Sequence, residues 1–291
     1  MGKWLRRFCS SGFFIPFILL LPYVCTIALS GADKALLLYS PGEEEMLPLV
    51  LVAQMKGDYE DETVMAQAVI ARSEVYRRLE EGENKREILT EVNKKLTGKK
   101  YLPRYRVAWK LLCMENQLQQ SGRAVEATTG QVLTYNGKLK PVPYHEISSG
   151  KTRDGVEVFH SEEYAYLKSV DSSQDKESPD YVNSTYVPMD QLPANLVIKK
   201  RDSAGYVTAL TADGSWLEGE DFRQGMGLAS ADFSVQKLGK MARFLCKGKG
   251  HGLGFSQYGG NEMAKNGRSW EEILTTYFPE MEIEKRKAYK Y

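Results

Sequence analysis

The chain of 291 residues carries 39 Lys and Arg against 38 Asp and Glu, a formal net charge of +1 at neutral pH. A balance so near neutral argues against nucleic acid as a partner, because its phosphate backbone calls for a basic face. With 42% hydrophobic and 26% charged residues, the composition is that of a globular protein without extended disorder.

Lys3, Arg6 and Arg7 precede an uncharged apolar run from Phe13 to Leu29, and the first acidic residue is Asp33. Spanning helices need ~17–25 such residues, whereas secretory signal cores need ~7–15. The run sits at the lower edge of the spanning class. The one-sided cations orient this end to the cytoplasm. Residues 1–31 are therefore expected to form a basic end plus a transmembrane signal-anchor through residues 13–29. Residues 32–291 are expected to form a domain on the far side of the membrane. Ala28, Ser30 and Gly31 also suit a cleavage site near Ser30, which would make the domain a secreted one. Of the four cysteines, Cys113 and Cys246 fall in that domain, where one disulfide is possible. No disulfide framework or paired-cysteine metal site is visible.

After a polar lead at Gly42–Glu45 comes an apolar stretch, Leu47–Met55. Val64, Ala68, Ala71, Val75 and Leu79 then recur at helical spacing, with Met65, Val69 and Tyr76 widening the buried face. Acidic residues load the start, Arg77 and Arg78 the end, and Gly82 supplies the stop. Residues 82–104 read as a polar excursion holding a short helix near Arg86–Leu96. A further helix is expected over Val107–Gln120. Beyond Gly122 the texture turns to strands. Asn136-Gly137 between Val132–Tyr135 and Val142–Ile147 predicts a hairpin. Asp171–Asn183 reads as a loop, and Leu196–Lys200 with Tyr206–Thr211 as paired strands. Another strand is expected near Phe244, and a last helix over Trp270–Tyr277 behind Ser269. Helices first and hairpins later make an α+β fold, with the antiparallel strand-rich part forming a groove.

Two of the three histidines lie in loops of small residues. His145 sits in Tyr144-His-Glu-Ile-Ser-Ser-Gly-Lys-Thr152, and His251 in Lys249-Gly-His-Gly-Leu-Gly-Phe-Ser-Gln-Tyr-Gly-Gly260. Glycines let the second loop approach a ligand closely, and Ser256, Gln257 and Tyr258 add groups suited to a sugar. The bland alternative is a tight turn whose polar residues satisfy buried backbone. A Ser-His hydrolase is disfavoured, because Ser148 and Ser149 follow His145 too closely and no Gly-x-Ser-x-Gly occurs. His145 and His160 show no metal-ligand spacing, and the glycine pattern lacks the trailing Lys of a phosphate loop.

Ala53-Gln-Met55 followed by Ala66-Gln-Ala68 and Ala71-Arg72 resembles the opening of the stage II sporulation protein D family, which includes the amidase-enhancer proteins. Thr129–Gly137, His145…Ser148-Ser-Gly150, Tyr166–Asp171, Asp221-Phe-Arg223…Gly227-Leu228 and Gly250–Gly259 resemble its later blocks, in order, from about Glu43 to Phe278. The resemblance implies a domain acting on peptidoglycan glycan strands, similar to lytic transglycosylases that leave 1,6-anhydro ends. Some relatives carry a structural zinc near the His-Ser-Ser-Gly loop, but this chain has no cysteine between Cys113 and Cys246, so no metal is expected there and no cofactor is expected. The resemblance places the family's catalytic Glu where this chain has Gln54. An amide cannot exchange a proton near neutral pH, and losing a general acid costs about 10²–10⁴-fold. Gln54, His145 and His251, with Arg72, Ser148, Ser149, Ser256, Gln257 and Tyr258 as glycan contacts, are expected around one groove. The expected function is a degenerate strand binder assisting wall remodelling, with a cell-wall amidase or other hydrolase as partner. The alternative is an active transglycosylase with a substitute carboxylate, for which Glu45, Asp58 and Glu60 are the neighbouring acids.

Overall fold

A computed structural model describes residues 42–97 and 114–287. The expected membrane segment, Cys113 and the first half of the expected helix Val107–Gln120 lie outside those residues. Among the described residues no helix is long and apolar enough to cross a membrane.

Four helices come first: α1 (Glu43–Gln54), α2 (Asp61–Glu80), α3 (Lys85–Thr97) and α4 (Glu115–Ala127). The chain divides into two units after Glu45, so α1 begins in the first unit and continues into the second. Its first turn holds Glu43, Glu44 and Glu45, which suits the positive end of the helix dipole. Helix α2 is the pillar of the second unit. Val64, Ala68, Ala71, Val75 and Tyr76 pack against α1, α3 and α4 in one core, while Ala66, Val69 and Ile70 enter another. A helix buried on two sides carries apolar residues nearly all round, which is why the helical pattern in the sequence is broad. Ile88, Val92 and Leu96 of α3 form a stripe that enters the first core. The short helix expected near Arg86–Leu96 is thus present as α3, and it is amphipathic. Helix α4 also runs five residues beyond Gly122, because Ala124 and Val125 find burial there.

The remainder is built from short strands: β1 (Gln131–Thr134), β2 (Tyr144–His145), β3 (Val182–Pro188), β4 (Leu196–Arg201), β5 (Val207–Ala212), β6 (Ser215–Glu218), β7 (Phe233–Leu238), β8 (Met241–Lys247), β9 (Phe255–Ser256) and β10 (Glu282–Lys285). Between them lie α5 (Gly155–Phe159), α6 (Gly219–Gly225), α7 (Gln257–Lys265) and α8 (Trp270–Tyr277). The β4–β5 pair forms as expected, with β6 added on the far edge. The expected strand near Phe244 is β8, sandwiched between β3 and β7. β3 begins within the stretch read as loop. Val207, Leu210, Phe222, Phe233 and Phe244 make a third core beneath these sheets.

The expected hairpin at Asn136-Gly137 forms only its turn. Tyr135 and Lys138 exchange both backbone hydrogen bonds, at 2.9 and 3.1 Å. The returning arm reads Lys140-Pro-Val-Pro143, and its two prolines have no N–H to offer a ladder. β1 pairs instead with β10, antiparallel, and β2 pairs with β9 in parallel. The last helix begins behind Ser269 as expected, with a capping box between Ser269 and Glu272.

Candidate functional site

The β2–β9 pair, with His145 opposite Ser256, brings the two histidine loops together. The loop from Gly248 to Leu253 is threaded through the molecule by its backbone. The Gly250 amide donates to the Ala229 carbonyl at 2.8 Å, and the Gly252 carbonyl accepts from the Arg153 amide at 2.8 Å. Glycine is required at both positions. A Cβ on Gly250 would come 2.7 Å from the His145 Cβ, and one on Gly252 would run into the Tyr206 ring; both residues have φ above zero.

The His145 and His251 rings meet edge-on with centroids 5.8 Å apart. His145 is only 3% exposed, and its Nδ1 donates to the Leu253 carbonyl at 3.0 Å. His251 Nδ1 accepts from the Leu253 amide at 3.1 Å, and its ring also bonds the Tyr144 backbone. Burial, helped by His251, lowers the His145 pKa to about 3. Burial lowers His251 as well, with Arg223 and Arg153 adding to the effect and Glu220 opposing it. Both rings are therefore neutral at physiological pH, and they brace the turn that holds them. Each ring spends its Nδ1 on the loop, while His145 Nε2 is buried without a partner.

Several expected glycan contacts are likewise closed off. Arg72 is wholly buried and points its guanidinium at Thr128 Oγ1, the Gln131 carbonyl and the Val125 carbonyl, at 3.0–3.2 Å. It ties the C-terminal end of α4 to β1 and cannot meet a strand. Ser148 and Ser256 converge on the buried Asp175. The Ser148 amide donates to Oδ2 at 2.8 Å and the Ser256 hydroxyl to Oδ1 at 2.9 Å, while Ser172 donates to Oδ2 at 3.0 Å. Burial pushes the Asp175 carboxyl up against these bonds. Ser149 is held by the Tyr206 hydroxyl and the Ala204 carbonyl. Small polar side chains in a tight loop satisfy buried backbone groups first.

Gln54 sits in a cluster of amides. Its Oε1 accepts from Gln67 Nε2 at 2.8 Å, and its backbone carbonyl accepts from Gln257 Nε2 at 3.2 Å. Gln257 Nε2 also donates to Gln67 Oε1 at 3.2 Å, leaving Gln257 Oε1 buried without a partner. Gln257 is fully buried, whereas Gln54 and Tyr258 are half-exposed. The Tyr258 amide donates to the Glu146 carbonyl at 3.0 Å, and the Glu146 carboxylate pairs with Lys249. His251 instead lines a cavity of about 310 Å³ with Arg153, Phe159, His160, Thr208 and Glu220. The amide cluster adjoins the histidine loops through β9, because Gln257 directly follows Ser256, the partner of His145. Gln67 was not expected in the site, although a polar side chain among Ala66, Ala68 and Val69 of a buried stripe is a visible signal.

Among the described residues no three His, Cys, Asp or Glu side chains gather as metal ligands. Cys246 is buried with its thiol free.

A helix-first α+β domain, with a glycine-threaded loop locking two histidines beside a half-exposed amide cluster, defines the class of protein. Residues 40–135 match the family described as stage II sporulation protein. Over 260 residues the chain is 30% identical to the stage II sporulation protein D of Bacillus amyloliquefaciens, covering 84% of this chain and 75% of that one. It is 29% identical, with the same coverage, to the stage II sporulation protein D of Bacillus subtilis (strain 168). It is also 23% identical over 257 residues to an uncharacterised protein of Brachyspira hyodysenteriae, covering 82% of this chain and 66% of that one. The chain belongs to the stage II sporulation protein D family.

Proposed function

We propose that the protein binds peptidoglycan glycan strands without cleaving them and assists wall remodelling during sporulation, from a membrane-anchored position outside the cytoplasm. The observation that carries this reading is the Gln54 carboxamide, bonded to Gln67 beside Gln257 at the position where the family resemblance puts an acid. A half-exposed amide cluster offers donors and acceptors to sugar hydroxyls, but no group there exchanges protons near neutral pH. The neighbouring carboxylates do not replace the acid. Asp58 and Glu60 are exposed. Burial would raise the Glu220 carboxyl, yet hydrogen bonds from Arg223 and Gln224 outweigh it and hold the group below the usual range. Glu220 stays ionised and cannot protonate a leaving oxygen.

A second reading, an active transglycosylase, has one observation in its favour. Glu146 is half-buried and its carbonyl accepts the amide of Tyr258, the residue that follows Gln257. Its carboxylate is already engaged by Lys249. The test is co-sedimentation of the full chain with glycan strands freed of stem peptides, with soluble products analysed by mass spectrometry. Retention on strands without 1,6-anhydro ends is expected. Anhydro products that vanish in Glu146→Gln would establish the second reading, and failure to sediment would remove both.

A further inference from the structure

The cavity beside His251 shares none of its lining with the amide cluster of Gln54, and its chemistry is specific. Pro143, Val158 and Phe159 give it apolar walls, while Thr208 of β5 and Glu220 of α6 give it polar ones. Glu220 Oε1 accepts from Arg223 Nε at 2.9 Å, Arg223 Nη2 at 2.6 Å and Gln224 Nε2 at 3.2 Å. The carboxylate is thus fixed in place and its charge answered. Its second oxygen, Oε2, is buried with no partner, and so is Thr208 Oγ1. An unmade hydrogen bond at a buried polar atom is costly. Two such atoms contributed by residues around one cavity point to something that enters and completes them.

The rim adds a flat apolar surface. Helix α5 is capped at its start by Asp154, whose carboxylate accepts the Val156 and Glu157 amides, and at its end by His160 in the left-handed region at φ 53°. That ending leaves Phe159 45% exposed, stacked on Tyr164 with ring centroids 4.2 Å apart. His251 also lines the cavity, with its Nδ1 already taken by the Leu253 amide.

A carboxylate oxygen already neutralised by an arginine calls for an uncharged donor rather than a cation. A threonine hydroxyl suits a group that both donates and accepts. An exposed aromatic face suits a ring of C–H bonds. A pyranose carries all three, and a volume of about 310 Å³ lies within the range of small-ligand sites. We propose that this cavity is a second sugar subsite, taking one pyranose of a glycan strand with a hydroxyl donated to Glu220 Oε2, another shared with Thr208 and the ring laid on Phe159. The proposal rests on the glycan-binding reading and extends it to a contact separate from Gln54.

The full chain is titrated calorimetrically with N-acetylchitotetraose, native and as Thr208→Val, Phe159→Ala and the double variant. Each single variant is expected to weaken binding about fivefold, the loss of one hydrogen bond or one stacked face, and the double variant multiplicatively. Phe159→Ala changes an exposed side chain, so its result stands even where Thr208→Val folds poorly. Native-like affinity in Phe159→Ala and in folded Thr208→Val, with the native chain binding, overturns the subsite alone. No binding by the native chain removes the glycan reading and the subsite with it.

Discussion

The Gln54 side-chain carbonyl accepts the Gln67 amide across the space between α1 and α2, at 2.8 Å. The same Gln67 side chain accepts from Gln257 at the start of α7, so three distant segments meet in one amide cluster. Replacing Gln67 by Leu would strip both bonds from a buried position. Stability is expected to fall by about 1–3 kcal/mol in urea unfolding, and retention on glycan strands to fall with it.

Arg72 presents a contrasting case, a charged residue that a resemblance suggests for ligand contact and the fold uses as a clasp. Arg72→Met leaves the Val125 carbonyl of α4 and the Gln131 carbonyl of β1 without this donor. The expected loss is about 2–4 kcal/mol in urea unfolding. Binding per folded molecule should be unchanged, because the guanidinium never reaches the surface.

The histidine brace predicts a pH dependence with a definite sign. The His145 pKa is lowered from 6.5 to about 3 in the folded chain. Between those values the unfolded chain binds the proton and the folded one does not. His145 therefore contributes stability above about pH 6.5 that is lost as the pH falls towards 3. Urea melts at pH 7 and pH 4.5 should show a smaller drop for His145→Gln than for the native chain. An equal or larger drop would contradict the buried neutral state.

Gly252 tests the threaded loop. Its φ is +79°, and a Cβ there would meet the Tyr206 ring, which also holds the Ser149 amide. Gly252→Ala is expected to lower the unfolding free energy by at least about 2 kcal/mol. Gly267→Ala has an open surrounding despite a similar φ of +80°, so it should cost about 1 kcal/mol.

Much of the fold is legible in sequence where one periodicity acts alone. Helix α2, the Ser269-capped α8 and the β4–β5 pair follow from apolar spacing, caps and turn residues. The partners of β1 and β2 were not legible, because Pro141 and Pro143 divert the hairpin arm and the true partners lie more than a hundred residues away. The site divided in the same way. Motif order located Gln54, His145 and His251 but could not say which polar atoms the backbone would consume. That depends on burial, as Ser148, Ser256 and Arg72 demonstrate. Phe159 and Glu220 carried no sequence signal, since their relation exists only once α5 and α6 close on one cavity.

The most direct test of the central claim is Gln54→Glu in the full chain, incubated with glycan strands freed of stem peptides, with products read by mass spectrometry. A glutamate there can accept the same Gln67 bond, and partial burial raises a carboxyl towards the range a general acid needs. The account predicts 1,6-anhydro ends from Gln54→Glu and none from the native chain. Anhydro ends from the native chain, undiminished in Gln54→Ala, would contradict it.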